Sequence, residues 1–201
     1  MTSETSLNGA RILHGYLGPQ DQAALVAALR RVVAQAPFYR PVTRRGPMSV
    51  RMTAAGRFGW VADRRGYRYE EAHPETGQPW PAIPQEVLAI WNDVSGCARA
   101  PECCLVNLYR GAAKMGLHQD KDEADFDCPV VSISLGDEAL FRVGQVEKPS
   151  PSGSVWLRSG DVAVLGGPAR LAHHGIDRVR SGSSSLLEGG GRINLTLRVV
   201  T

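Results

Sequence analysis

The sequence predicts one α+β domain, and three observations carry that expectation. Helical periodicity is confined to two stretches of the first half, short strand-like runs fill the chain from Cys103 onward, and turn residues punctuate those runs. Helices first and strands second, in 201 residues, suit a single domain over 1–201 with one core. The first helix opens at Gly18-Pro19-Gln20-Asp21, repeats Leu25, Ala28, Leu29, Val32 and Val33 at helical spacing, and stops at Pro37. The second is expected over 84–95, with Val87, Leu88, Trp91 and Val94 on one face. Its Pro84 sits in the first turn, where a missing N–H is no loss.

Residues 40–84 are rich in Arg, Gly, Pro and aromatics, and hold Met48, Met52, Trp60, Tyr67, Tyr69 and Trp80. Their pattern is irregular, with short alternating runs such as 48–52, so hairpins and loops laid over a core are expected. Strands are expected at 104–109, 130–135, 139–143, 154–157, 162–165 and 193–200. The turns between them fall at Gly136-Asp137, 149–153, Ser159-Gly160-Asp161 and Gly166-Gly167-Pro168. Many short strands punctuated this way indicate a sandwich or jelly roll. Residues 181–191 read as a mobile loop, and no internal repeat is visible.

The chain carries 23 basic and 20 acidic residues, a net charge of +3, which does not by itself establish a nucleic-acid binder. Local clustering says more. Arg30-Arg31, Arg40, Arg44-Arg45, Arg51, Arg57, Arg64-Arg65 and Arg68 lie in the first third, whereas acids dominate 120–127. A basic lobe beside an acidic site suits a phosphate-bearing substrate; solvated surface arginines are the plainer reading. No apolar run is long enough to span a membrane, and the polar start lacks a signal-peptide pattern, so a cytoplasmic location is expected. Cys97, Cys103, Cys104 and Cys128 form no C-x-x-C pair and are expected reduced, as buried apolar filler.

Chemistry enters with Leu117-His118-Gln119-Asp120, followed much later by His174-Gly175-Ile176. Two imidazoles and one carboxylate form the facial set of non-haem Fe(II) oxygenases, which leaves positions open for oxygen and a co-substrate. Residues two apart on a strand share a face, so His118 and Asp120 reach one ion, and a jelly roll can bring a later strand beside them. His174 is chosen over His173 because Gly175 would let the chain turn near the metal, with His173 pointing to the opposite face. Alternatively, Asp120 belongs to a solvated acidic loop with Asp122, Glu123 and Asp125. On a strand over 192–198, Arg192, Asn194, Thr196 and Arg198 share one face, and Ile193, Leu195 and Leu197 share the other. Two inward guanidiniums need anions, because an unpaired buried charge is costly. A dicarboxylate such as 2-oxoglutarate meets that need; protein carboxylates or solvent are the alternatives.

The ordered set resembles the AlkB family of Fe(II)/2-oxoglutarate dioxygenases. It comprises Asn107-Leu108-Tyr109, the 117–123 run, Val131-Ser132-Ile133-Ser134-Leu135-Gly136, Gly160-Asp161-Val162, His174-Gly175-Ile176 and the 192–198 run. The similarity extends upstream through Pro37-Phe38, Met48-Ser49-Val50, Gly59-Trp60, Gly66-Tyr67 and Gly77-Gln78-Pro79-Trp80-Pro81, and so covers nearly the whole chain.

The resemblance implies a double-stranded β-helix (jelly-roll) core over about 103–201, N-terminal helices, and a nucleotide-recognition lid over about 38–82. It implies oxidative demethylation of 1-methyladenine and 3-methylcytosine in single- or double-stranded DNA, with RNA a further candidate, using Fe(II), 2-oxoglutarate and molecular oxygen. His118, Asp120 and His174 would bind iron. Arg192, Asn194 and Tyr109 would hold the distal carboxylate of 2-oxoglutarate, with Arg198 and Asn107 at its metal-binding end. Trp60 would stack on a flipped base opposite His118, Asp122 would read its exocyclic amine, and Tyr67, Met48 and Met52 would line the channel.

Three positions depart from the family. His173 stands where its bacterial repair enzyme has an aromatic, Lys148 where an Arg touches nucleic acid, and the loop Thr43-Arg44-Arg45-Gly46 is more basic and one residue shorter. The competing readings are the same iron chemistry on a modified tRNA or a protein side chain, a non-catalytic jelly-roll binding module, and a zinc hydrolase using two His and one Asp. The hydrolase leaves Arg192 and Arg198 unexplained. A monomer is expected.

Overall fold

The computed structural model describes residues 2–44, 46–148 and 152–201. Arg45 of the basic cluster and most of the expected 149–153 turn therefore lie outside the described residues. In chain order the elements are β1 (Ser3–Leu7), β2 (Ala10–His14), α1 (Pro19–Gln35), β3 (Val42–Thr43), β4 (Gly46–Pro47), β5 (Arg51–Gly56), β6 (Gly59–Asp63), β7 (Gly66–Glu70) and α2 (Gln85–Val94). They continue as β8 (Cys103–Tyr109), β9 (Met115–His118), β10 (Val130–Gly136), β11 (Glu138–Val143), β12 (Gly153–Leu157), β13 (Val162–Leu165), β14 (His174–Arg180) and β15 (Arg192–Arg198).

A large sheet runs β1-β2-β13-β10-β15-β8-β5 and a small one β12-β11-β14-β9; β3-β4 and β6-β7 are separate hairpins. The two sheets form the jelly-roll core. Strand alternation divides the large sheet into two unlike faces. One face carries Val106, Val131, Ile133, Leu135, Leu195 and Leu197, packed on Leu25, Leu29 and Val32 of α1 and on Val87, Trp91 and Val94 of α2. The other turns Leu105, Tyr109, Val130 and Leu165 toward Phe141, Val143, Leu157 and Ile176 of the small sheet. It also holds Asn107, Ser132, Ser134, Arg192, Asn194, Thr196 and Arg198, all buried. A buried aliphatic side chain contributes about 1.5–3 kcal/mol. The helix-facing layer thus stabilises a sheet whose other face is partly given over to polar groups.

Both helices stand where the periodicity puts them. α1 has Pro19 in its first turn and Asp21 beside its positive N-terminus, and it gives way at Ala36 before Pro37. α2 starts one residue later than expected, with Pro84 at the N-cap rather than inside the first turn. The helices-first order needs correction, because β1 and β2 precede α1 and extend the large sheet through β13. β1 is a polar, exposed edge strand, so hydrophobic alternation gave no sign of it. β9 and β14 are absent from the strands expected by pattern, since one has four residues and a glycine and the other ends in exposed charge; the strand expected to carry both His118 and Asp120 stops at His118. Over 40–84 the expected hairpins are present, although β5 is a full strand of the large sheet, paired with β8. Gly59 is required there, since a Cβ would lie 2.4 Å from the Trp80 ring.

Loop 181–191 is tied down by Asp137, whose carboxylate accepts N–H bonds from Gly182 (3.2 Å), Ser184 (3.0 Å) and Gly191 (3.0 Å). The reduced state expected of all four cysteines is overturned for two of them. Cys97 and Cys128 form a disulfide with Cα atoms 5.7 Å apart, while Cys103 and Cys104 are free and buried. Gly96, at φ 65°, reverses the chain after α2 and lays Cys97 against the segment entering β10. That proximity is tertiary and leaves no trace in spacing. Burial pushes the Cys103 thiol up to about 12, as inert core filler requires. A denatured, unreduced sample is expected to show two free thiols, and reduction to cost about 2–4 kcal/mol of stability. Four free thiols and unchanged denaturant curves would contradict the cross-link.

Candidate active site

Antiparallel pairing of β14 with β9 sets His174 directly opposite His118. The approach is close because residue 175 has no side chain: a Cβ there would meet the Met115 carbonyl at 2.6 Å and that of Gly116 at 2.8 Å. Gly175 thus permits strand contact rather than the sharp turn expected of it. Asp120 follows β9 and turns inward, 8% exposed. His118 Nε2 is 3.7 Å from Asp120 Oδ1 and His174 Nε2 is 3.5 Å from Oδ2. One ligand atom from each residue falls within 4.8 Å of the others. Each imidazole is oriented from behind. His118 Nδ1–H donates to the Gly116 carbonyl and His174 Nδ1–H to that of Ala172, both at 2.9 Å. Those bonds fix the tautomer that leaves Nε2 free to ligate.

The carboxylate is held by buried charge. Arg198 Nη2 lies 2.7 Å and Nε 3.2 Å from Asp120 Oδ2. Burial alone would raise the Asp120 carboxyl. Arg198 first, then His174 and His118, more than reverse that and keep it well below the usual carboxylate range. Arg198 also meets Glu123 at 3.3 Å. Glu123 accepts from Arg170 Nη2 at 3.2 Å and from the Tyr69 hydroxyl. Glu123 is therefore a buried partner and not part of a solvated acidic loop. Arg198 takes the protein-carboxylate alternative left open by the sequence.

Arg192 is different. Its Nη2 donates to Ser134 Oγ at 3.0 Å, but Nε and Nη1 are buried with no partner, as are Asn107 Oδ1, Thr196 Oγ1 and Arg198 Nη1. Burial lowers the Arg192 guanidinium, with Tyr109 countering in part. Orphaned donors inside a cavity call for an anion. These groups line a cavity of about 410 Å³ between the sheets, with the iron-type triad in its wall. Two free imidazole lone pairs, an ionised carboxylate and a buried guanidinium with unused donors fit a divalent iron ion and a dicarboxylate.

Of the remaining expected residues, Trp60, Tyr67, Asp122, Met48 and Met52 line the same cavity. Trp60 Nε1 donates to Asp122 Oδ2 at 2.9 Å, and its ring stacks on Tyr67 with centroids 5.2 Å apart. Met52 is also core, at 1% exposure. Lys148 is exposed and does not line the cavity. His173 lines it, with Nδ1 donating to the Gln145 carbonyl at 2.9 Å, instead of pointing to the opposite side. Residues not anticipated are Tyr69, Arg170, Ser132 and Ser134. The serines were detectable from their alternation with Val131 and Ile133; nothing local marks Arg170. The basic cluster is partly neutralised, since Arg57 pairs with Glu71, and Arg65 and Arg68 with Asp63.

Residues 9–198 match the 2OG-Fe(II) oxygenase superfamily. An alpha-ketoglutarate-dependent dioxygenase AlkB homolog of Caulobacter vibrioides is 55% identical over 195 residues, covering 96% of this chain and 89% of that protein. The alpha-ketoglutarate-dependent dioxygenase AlkB of Escherichia coli K12 is 41% identical over 179 residues, 87% of this chain and 82% of its own. The solved structure of OsALKBH1 superposes with a TM-score of 0.84 at 31% identity, covering 98% of this chain and 99% of that one.

Replacing Arg192 tests the anion site. Arg192→Met is expected to be at least as heat-stable as the wild type without ligand, because it removes an unpaired buried charge. It should bind 2-oxoglutarate roughly 30-fold to several thousand-fold more weakly, the range for losing one side of a buried charge pair. An unchanged dissociation constant would remove Arg192 from the site.

Proposed function

The chain belongs to the 2OG-Fe(II) oxygenase superfamily and is an Fe(II)/2-oxoglutarate-dependent dioxygenase; from that premise we propose that it demethylates N-alkylated nucleobases, 1-methyladenine and 3-methylcytosine, in DNA during repair of alkylation damage. The observation that carries the proposal is the bracket at the cavity. An indole, Trp60, and a carboxylate, Asp122, are joined by a hydrogen bond and line the cavity whose wall holds the His–Asp–His set. Alkylation at N1 of adenine or N3 of cytosine leaves the base cationic. A flat ring to stack on and a carboxylate beside it favour such a base over its neutral parent. A base inside a duplex cannot reach this cavity, so it enters flipped or from a single strand.

His118, Asp120 and His174 would hold the iron. Arg192, Asn194 and Tyr109 would take the far carboxylate of 2-oxoglutarate, and Arg198 and Asn107 would support its metal-binding end. With oxygen, the bound iron and 2-oxoglutarate supply insertion of one oxygen atom into an N-methyl C–H bond, coupled to conversion of 2-oxoglutarate to succinate and carbon dioxide. The resulting N-hydroxymethyl group loses formaldehyde and leaves the N–H or free nitrogen of the normal base. The protein orients and excludes water: Met48, Met52 and Tyr67 close the apolar side of the channel, and Trp60 with His118 sandwiches the ring. Within a single catalytic unit, residues 38–82 act as the nucleotide lid. Lys148, outside the cavity, meets backbone phosphate. We place the enzyme in the cytoplasm as a monomer. No helix among the described residues is long and apolar enough to cross a membrane.

Formaldehyde release from matched single-stranded DNA, duplex DNA and RNA carrying 1-methyladenine tests the proposal. Release dependent on Fe(II) and 2-oxoglutarate is expected from DNA, and the RNA arm decides the wider range. Slow succinate formation with no formaldehyde from any arm would assign the oxygenase another substrate. Trp60→Ala should weaken oligonucleotide binding by about 1–3 kcal/mol and leave 2-oxoglutarate binding unchanged. Equal losses of both would make Trp60 a packing residue.

A further inference from the structure

Arg170 is a buried charged side chain outside the cavity lining, with all three guanidinium nitrogens engaged. It is 3% exposed and follows the 3-10 turn Gly167–Ala169, four residues before His174. Its guanidinium fans out along the segment that carries Asp120. Nη1 donates to the Asp120 carbonyl at 2.7 Å, Nη2 to Glu123 Oε2 at 3.2 Å, and Nε to the Cys128 carbonyl at 2.8 Å. The Phe126 ring lies 5.2 Å below its central carbon. One side chain thus meets positions 120, 123, 126 and 128, and the last is cross-linked to Cys97.

The contacts also close a ring. Arg170 reaches Glu123, Glu123 reaches Arg198, and Arg198 reaches the carboxylate of Asp120, while Arg170 holds the carbonyl of the same residue. Asp120 is gripped at backbone and side chain by two guanidiniums that share one carboxylate. Burying charges this way is not a cheap source of stability, and apolar residues of similar volume often do as well or better. What a planar fork provides, and an apolar side chain or a lysine does not, is three fixed directions at once.

We propose that Arg170 is a positioning residue for the iron site, a clamp that sets the Asp120-bearing segment against the strand carrying His174 without touching the cavity. The inference rests on the assignment of His118, Asp120 and His174 as the iron ligands. Asp120 lies beyond the end of β9, where no ladder hydrogen bonds fix its backbone. Its carbonyl bond to Arg170 substitutes for them. Because Arg170 sits just upstream of His174, the same side chain ties together the two chain segments whose separation a metal ion must bridge.

The test is Co(II) binding by the metal-free chain, without 2-oxoglutarate or nucleic acid, followed by the cobalt visible bands. Arg170→Ala should weaken Co(II) affinity about 10-fold to 100-fold, the usual cost of removing a side chain that orients a metal ligand. Arg170→Lys, with charge but no fork, should fall between it and the wild type. Oligonucleotide binding by the metal-free variants should fall by less than Co(II) affinity, since Trp60 lies on β6, outside the segment Arg170 grips, although Asp122 lies within it. Co(II) affinity within about twofold of wild type in a folded variant would overturn the clamp. Equal loss of metal and oligonucleotide binding would also overturn it, by showing a general folding role. Where Arg170→Ala does not fold, Arg170→Lys decides the matter by the same criteria. His174→Ala is the control: full Co(II) affinity in that variant would overturn the metal assignment itself, and loss there without loss in Arg170 variants overturns only the clamp.

Discussion

An ionised carboxylate buried beside two imidazoles is the constraint on which the rest of this molecule depends. Asp120 is almost out of water, and burial alone would favour its protonated form. Arg198 prevents that from 2.7 Å away. The guanidinium is in turn buried, so it needs the second carboxylate of Glu123, and Glu123 needs Arg170. A carboxylate kept charged in a dry interior therefore demands a chain of paired charges behind it.

Such a centre can exist only if stability comes from elsewhere. The large sheet solves this by alternation. Along β15 the odd-numbered Leu195 and Leu197 pack under α1 and α2, while the even-numbered Arg192, Asn194, Thr196 and Arg198 face the cavity. β10 repeats the device with Val131 and Ile133 against Ser132 and Ser134. The helices are a hydrophobic backing for a strand pair whose other face is chemistry. The two arginines of β15 also divide the labour. Arg198 spends Nε and Nη2 on protein carboxylates and keeps only Nη1 free, whereas Arg192 has no carboxylate partner and keeps both Nε and Nη1 unspent.

Much of this was legible in the chain. Period-two alternation over 192–198 announces a two-faced strand, helical spacing marks α1 and α2, and His-x-Asp with a distant His picks out three residues that the fold brings within 4.8 Å of one another. What could not be read was tertiary in origin. β1 is polar and exposed, so pairing alone makes it a strand. Glu123 looked like one more acid in a solvated run because its partners, Arg170 and Tyr69, lie 47 and 54 residues away. The Cys97–Cys128 link joins positions separated by 31 residues with no spacing motif. Gly175 is legible as special from its place beside His174, but its work is to let two strands touch.

Asp120 is where the metal site is most directly tested. Anaerobic titration of Fe(II) into Asp120→Ala, with 2-oxoglutarate present and circular dichroism recorded on the same sample, is the most direct test. The expected result is a folded chain that no longer binds iron stoichiometrically and has no demethylase turnover. Stoichiometric iron binding or substantial turnover in that folded variant would contradict the claim that this carboxylate completes the metal site.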